Sequence, residues 1–319
     1  MNIGQSIGLE LGSPTRNAFG EALAALGATV PHLVVVDGDV GNSTRTELFA
    51  AAYPERFFQV GIAESNMVSV AAGLALSGHV AVTASFAAFL TTNAFDQIRM
   101  GVAFPRANVK LVGSHAGISI GEDGPSQMGI EDIALMTALP GMVVLCPADG
   151  PSARVLTGLM VAHDGPVYMR TGRPKVPRVY DAGVELTIGK AVRLREGTDA
   201  TIIATGLMVA AALEAAALLA AGGIEVRVLD MHTIKPLDEA AIEAAARETG
   251  AIVTAEEHLL DGGLGSRVAM AVARLAPCRM AFVGLDDTFA RSGPPEALLG
   301  AYGLTAEAIV EGVRGVKQR

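Results

Sequence analysis

Apolar residues along this chain fall into short β-branched runs, separated by longer stretches in which alanine and leucine recur between polar positions. The runs Leu33-Val-Val-Val36, Phe57-Phe-Gln-Val60, Val80-Ala-Val82, Val109-Lys-Leu-Val112, Met142-Val-Val-Leu145 and Val167-Tyr-Met169 predict strands. Helices are predicted over 15–28, 65–77, 85–101, 130–138 and 149–163, with Gly or Pro near several of their ends. A break follows from Gly172 to Gly189, where Arg173-Pro-Lys-Val-Pro-Arg178 cannot continue a helix and suits a linker. The rhythm then resumes with strands Ala200-Thr-Ile-Ile-Ala204, Val226-Arg-Val-Leu229, Ala251-Ile-Val-Thr254 and Met280-Ala-Phe-Val283, and helices over 207–221, 238–248 and 265–275. Strand and helix in alternation predict an α/β protein of two domains, each a mostly parallel sheet flanked by helices. The expected division is an extension over 1–13, a first unit over 14–185 and a second over 186–319.

Composition narrows the function classes. Half of the 319 residues are apolar, enough to fill two cores. The 24 basic residues against 33 acidic ones leave a net charge of −9, which repels a phosphate backbone and argues against nucleic acid or an anionic membrane as partner. Cys146 and Cys278 stand far apart with no CxxC or Cys/His neighbour, so neither a disulfide nor a zinc site is expected. Residues 1–13 show no signal-peptide pattern, and no apolar run of about 18 residues reads as membrane-spanning, so the expected location is cytoplasmic. With no Trp and 4% aromatic content, each remaining ring deserves individual reading.

Two segments carry candidate chemistry. In Gly61-Ile-Ala-Glu-Ser-Asn-Met67, Glu64 sits where a strand hands over to a helix, the end of an open α/β sheet at which ligands bind. It also fits a first-turn acid favoured by the helix dipole. Ser114 to Met128 is polar, glycine-rich and too long for a simple turn, so it reads as a binding loop. Within it His115 fits a ligand contact or a satisfied core histidine, and Asp123 a ligand contact or a turn former.

Together these blocks resemble the transketolase family, from its pyrimidine-binding domain onward and over essentially the whole chain. The resemblance rests on Asp37-Gly-Asp39 with Asn42-Ser-Thr44, Ile62-Ala-Glu-Ser-Asn-Met-Val68, Ser85-Phe-Ala-Ala-Phe89, Ala94-Phe-Asp-Gln-Ile-Arg-Met100, Gly113-Ser-His115, Ser119-Ile-Gly-Glu-Asp-Gly-Pro-Ser-Gln-Met128 and Thr233-Ile-Lys-Pro-Leu-Asp238. It implies a thiamine diphosphate site in which Glu64 is the catalytic carboxyl that hydrogen-bonds N1′ of the aminopyrimidine, and a partly desolvated setting favours the proton sharing this needs. It places Phe86 and Phe89 around the pyrimidine ring, although both also fit helix core at i, i+3. Asp39 falls near the thiazolium. His115 and Asp123 fall beside the sugar, His115 in a catalytic role, with Gln127 at a position the family fills with His or Gln. For a terminal phosphate the matching positions are Arg16, Ser43, His115 and Arg170, whose forked and charged donors suit a dianion. Arg16 and Arg170 also fit solvated surface charges, and Ser43 a helix N-cap. The second domain resembles the third domain of the family, which usually carries no catalytic group. Gly262-Gly-Leu-Gly265 lacks GxGxxG spacing and reads as a helix-entry turn.

The family's diphosphate and metal motif, Gly-Asp-Gly with a downstream Asn, does not occur: Asp37-Gly-Asp39 has the wrong order. The resemblance begins near Pro14, which leaves too little chain upstream for a βα domain. A separate subunit is therefore expected to bring the diphosphate-binding domain and its Mg2+ or Ca2+ ligands, giving an α2β2 assembly. The implied reaction is transfer of a two-carbon ketol unit from a ketose phosphate to an aldose in carbohydrate metabolism, of which the pentose phosphate reactions are the default. A 2-oxo acid dehydrogenase β-subunit shares the Ile-Ala-Glu block but has no need of a phosphate cradle. Deoxyxylulose phosphate synthase generally has Arg where His115 stands. A non-catalytic assembly subunit is opposed by the presence of Glu64, His115, Asp123 and the two arginines.

Overall fold

The computed structural model describes residues 2–317; Met1 and residues 318 and 319, the ends of the two expected outer units, lie outside the described residues. Fourteen strands form among these: β1 (Leu11–Pro14), β2 (Leu33–Asp37), β3 (Phe57–Gln59), β4 (Val80–Phe86), β5 (Val109–Ser114), β6 (Val143–Leu145), β7 (Val167–Arg170), β8 (Lys175–Pro177), β9 (Val192–Arg195), β10 (Ala200–Ala204), β11 (Val226–Asp230), β12 (Thr233–Lys235), β13 (Ala251–Leu259) and β14 (Arg279–Leu285). They build a seven-stranded sheet in the order β12-β6-β7-β5-β4-β2-β3 and a five-stranded sheet in the order β14-β13-β10-β11-β9. Both are parallel except for one antiparallel edge strand each, β12 and β9. The central strands are buried at every position, as β2 and β5 show, because helices cover both faces of such a sheet. None of the helices among the described residues is long and apolar enough to cross a membrane.

The two units share structure. β12 leaves the second half of the chain and pairs with β6 of the first sheet, and its last residue, Lys235, donates to the carbonyls of Thr137 and Leu139 at 2.8 and 2.6 Å. One continuous core joins Val34, Met67, Ile98 and Leu111 to Ile203, Leu229, Ile252 and Val268. A second joins Ile118, Ile120 and Met128 of the expected binding loop to Met208, Val253 and Leu285.

Two predicted elements take a different form. The helix expected over 85–101 is a strand end followed by broken helix: β4 runs on through Phe86, helices cover Ala87–Asn93 and Phe95–Gln97, and a π-helical segment follows over Ile98–Ala103. Parallel pairing of Ser85 with Gly113 and Phe86 with Ser114 extends the strand past the point where alanine composition favours helix. The stretch read as a linker contains β8, which pairs antiparallel with β1 in a small two-stranded sheet, so Leu11 to Ser13 of the expected extension are structured as well. Gly262 to Gly265 does lead into a helix, Leu264–Leu275, whose first two amides donate to the buried Glu256 carboxylate at 2.7 Å each. Cys146 and Cys278 are both free thiols.

Candidate active site

Five neighbouring parallel strands, β7, β5, β4, β2 and β3, end on the same side of the first sheet, and the expected site residues follow those ends. Glu64 follows β3 as the first residue of the helix Glu64–Leu76, with its side chain almost out of solvent at 7% exposure. Its Oε1 accepts a hydrogen bond from Ser85 Oγ at 3.1 Å. Next to Ser85, Phe86 closes β4 and stacks on two rings: Phe89, with centroids 5.6 Å apart and planes 7° apart, and His115, at 4.0 Å and 8°. The separation of three residues between Phe86 and Phe89 spans a strand-to-helix junction, so they form a half-buried wall instead of a helix core.

His115 lies immediately beyond β5 with φ +57°, a left-handed conformation that a non-glycine residue adopts at a cost and that gathers at functional sites. Asp39, exposed in the turn after β2, has φ +66°. The His115 Nε2 faces Arg16 Nη1 at 3.2 Å, and Nδ1 faces Ser114 Oγ at 2.8 Å. Because a guanidinium can only donate, Nε2 is the acceptor and the ring proton sits on Nδ1, donated to Ser114. Burial lowers the ring pKa to about 3, with further help from the charges of Arg16 and Arg173, so the imidazole is neutral near pH 7. Arg16 itself, in the first turn of the helix Thr15–Leu26, also donates to the Ser43 carbonyl at 2.7 Å, while its buried Nε has no partner. Direct contacts or chain adjacency thus run unbroken from Glu64 through Ser85, Phe86, His115 and Arg16 to Ser43.

Arg170 departs from the expectation. It is the last residue of β7, 6% exposed, and its guanidinium is engaged on all three nitrogens: Nε with Asp132 Oδ2 at 3.0 Å, and Nη1 and Nη2 with the carbonyls of Glu257 and Gly129 at 2.8 Å each. Tyr168 shares the same Asp132 oxygen through its hydroxyl at 2.6 Å. A guanidinium so placed is a buried structural tie, not an anion ligand. The residue three places on, Arg173, lies beyond the strand end with its side chain 37% exposed, donates to the Ile120 carbonyl at 2.8 Å, and pairs with Asp123 at 3.1 Å. Its charge adds to burial in lowering the pKa of both Arg16 and His115, which places it in the same field. The available signal was position: only a residue past the carboxyl end of a strand reaches over the edge of the sheet. Asp123 is exposed and joined to the cluster through Arg173, and Gln127 is half-buried with its backbone N–H donating to the Gly124 carbonyl.

Comparison with known proteins decides the family. The model "Transketolase, pyrimidine binding domain" matches residues 12–178, and "Transketolase, C-terminal domain" matches 189–309. The chain belongs to the transketolase family. It is 42% identical to a Methanocaldococcus jannaschii protein named as a transketolase C-terminal section, over 93% of this chain and 94% of that one. A 6-deoxy-6-sulfo-D-fructose transketolase subunit of Clostridium sp. (strain MSTE9) is 41% identical over 95% and 94%. A solved structure described as a split gene transketolase, inactive beta4 tetramer, superposes with a TM-score of 0.91 at 45% identity, covering 96% of this chain and 99% of that one. Of longer transketolases the chain spans about half; it covers 49% of the human enzyme.

The donor set at this edge fits a flat heteroaromatic amine: a carboxyl held from water beside two parallel aromatic rings. It offers nothing comparable for a metal. Among the described residues no group of three or more His, Cys, Asp or Glu side chains gathers as a cation site.

Proposed function

We propose that this chain is the pyrimidine- and sugar-handling subunit of a thiamine diphosphate-dependent transketolase, working in the cytoplasm with a separate subunit that carries the diphosphate and its Mg2+ or Ca2+, as an α2β2 assembly whose units divide near residue 185. The observation that carries this reading is the unbroken contact path from the buried Glu64 carboxyl to Arg16, which joins a heteroaromatic subsite to an anion subsite in one cleft. When bound, thiamine diphosphate supplies the electron sink that lets the bond beside a ketose carbonyl break and the two-carbon unit pass to an aldose. Glu64 holds a proton toward the pyrimidine, with Ser85 fixing one carboxyl oxygen so that the other is the one presented. Phe86 and Phe89 hold that flat ring in place and exclude water from it. His115, neutral and with its acceptor nitrogen toward the cleft, can take a hydrogen bond from a sugar hydroxyl if Arg16 turns to the substrate's anionic end. Asp39 and Gln127 border the same edge, near the thiazolium and the sugar.

Arg16 and Arg173 supply two guanidiniums for a terminal oxyanion, and a phosphate dianion suits that pair best. A sulfonate end is the second reading, favoured by the relative named for 6-deoxy-6-sulfo-D-fructose. Mixing the purified chain with a subunit bearing the Gly-Asp-Gly motif, thiamine diphosphate and magnesium should give ketol transfer from a ketose phosphate. The chain alone should give none. Equal activity of the chain alone would sink the shared-site reading, and transfer only from the sulfonated ketose would replace phosphate by sulfonate.

A further inference from the structure

The second unit reaches the binding loop with one buried carboxylate. Glu257 lies on β13, is buried at 6% exposure, and its Oε1 accepts from the Ser119 amide at 2.6 Å, in the middle of the stretch between His115 and Asp123. Gly117, at φ +81°, passes so close that a Cβ there would sit 2.3 Å from the Glu257 carboxyl carbon, so the loop backbone is moulded directly on this side chain. The Glu257 main chain is tied too, since its carbonyl accepts from Arg170, whose other nitrogen bonds Gly129 at the far end of the loop. From outside, the turn before the helix Pro295–Ala301 closes the loop in: a Cβ on Gly121 would meet Pro295 at 3.0 Å, and one on Gly124 would meet Ser292 Oγ at 2.4 Å. Ile120, one residue beyond Ser119, presents the carbonyl that orients Arg173.

A buried carboxylate is expensive unless its oxygens are matched by donors. Here the matching donors belong to the loop, so the cost is recovered only when the loop takes this one course. We propose that Glu257 is a positioning residue for substrate binding: through Ser119 it sets the loop that carries His115, Asp123 and the Ile120 carbonyl, and so makes the second unit part of the sugar-binding apparatus. The inference rests on the transketolase reading for its kinetic consequence and on the loop contact alone for its structural one.

Two measurements separate these. In the isolated chain, the Ser119 amide should exchange with solvent at least about tenfold faster in Glu257→Ala than in the native protein, because its only acceptor is gone, and Glu257→Gln, which keeps an acceptor oxygen, should restore most of the protection. In the reconstituted complex, Glu257→Ala should raise the KM for the ketose phosphate about tenfold, with kcat and the Kd for thiamine diphosphate within about twofold of native, and Gln should again rescue. Should Glu257→Ala fail to fold, Gly117→Ala perturbs the same contact from the loop side and should raise KM in the same way. Unchanged exchange and unchanged KM in the alanine variant overturn the proposal, as does an equal loss of cofactor affinity and kcat, which marks a general folding role. Absence of activity in the native complex counts against the transketolase reading and leaves the exchange experiment to decide the role of Glu257.

Discussion

Replacing Arg173 by alanine and replacing Arg170 by alanine should give opposite phenotypes, although the two residues stand three apart. Arg173 is partly exposed and holds one carbonyl and two surface carboxylates, Asp123 and Glu122, so its loss should leave stability within about 0.5 kcal/mol and raise the KM for an anion-ended ketose about tenfold or more. Arg170 is buried against Asp132, and its removal leaves a carboxylate uncompensated, at a cost of roughly 3–5 kcal/mol in urea unfolding. The proposed anion ligand was thus hidden within a three-residue uncertainty. Sequence pattern located β7 correctly but gave no way to tell the last strand residue, which faces the inter-unit node, from the first residues beyond it. His115 was legible as a candidate; its protonation was not, because that depends on Arg16 and Arg173 arriving from distant positions. Its ring signals should stay flat in NMR spectra between about pH 5 and 8. The sign follows from a folded pKa of about 3 against an ordinary 6.5: stability contributed by His115 is complete above 6.5 and is lost as pH falls through the window toward 3. An inflection inside the flat range would contradict the Arg16–His115 geometry.

The central strands of the first sheet were readable because their burial on both faces leaves continuous β-branched runs, as in β2. β1, β8, β9 and β12 were not, since each is short and pairs at an edge, where composition carries little signal. The junction at Phe86 shows a related effect: pairing with β5 overrides a helix-favouring composition, and the aromatic wall depends on that override. β5 and β7 also meet closely. Gly113 lies beneath Tyr168, and a Cβ there would sit 2.1 Å from the tyrosine hydroxyl oxygen. Gly113→Ala should therefore cost about 1–3 kcal/mol by displacing Tyr168 from Asp132. Removing the hydroxyl with Tyr168→Phe should relieve much of this, so that the double variant is less destabilised than the sum of the singles, by denaturant midpoint. Simple additivity would mean that the strain lies elsewhere.

Across the molecule, the two halves act as one frame. Continuous cores, the transfer of β12 to the first sheet, and the Glu257 contact all bind the second unit to the first. None of these was visible in the pattern of runs, which reports elements singly and is silent on which surfaces meet. What the pattern did convey was the α/β class, and the resemblance pointed to the strand-end edge where Glu64, Phe86, His115 and Arg16 gather, but not to Arg173. The central claim is that the Glu64 carboxyl handles the proton in a site completed by a second subunit. Its most direct test is the ketol-transfer rate of the reconstituted complex carrying Glu64→Gln, measured beside native complex of the same assembly state by gel filtration. The account predicts normal assembly with kcat reduced by about 100-fold or more; an assembled complex that turns over at the native rate would contradict it.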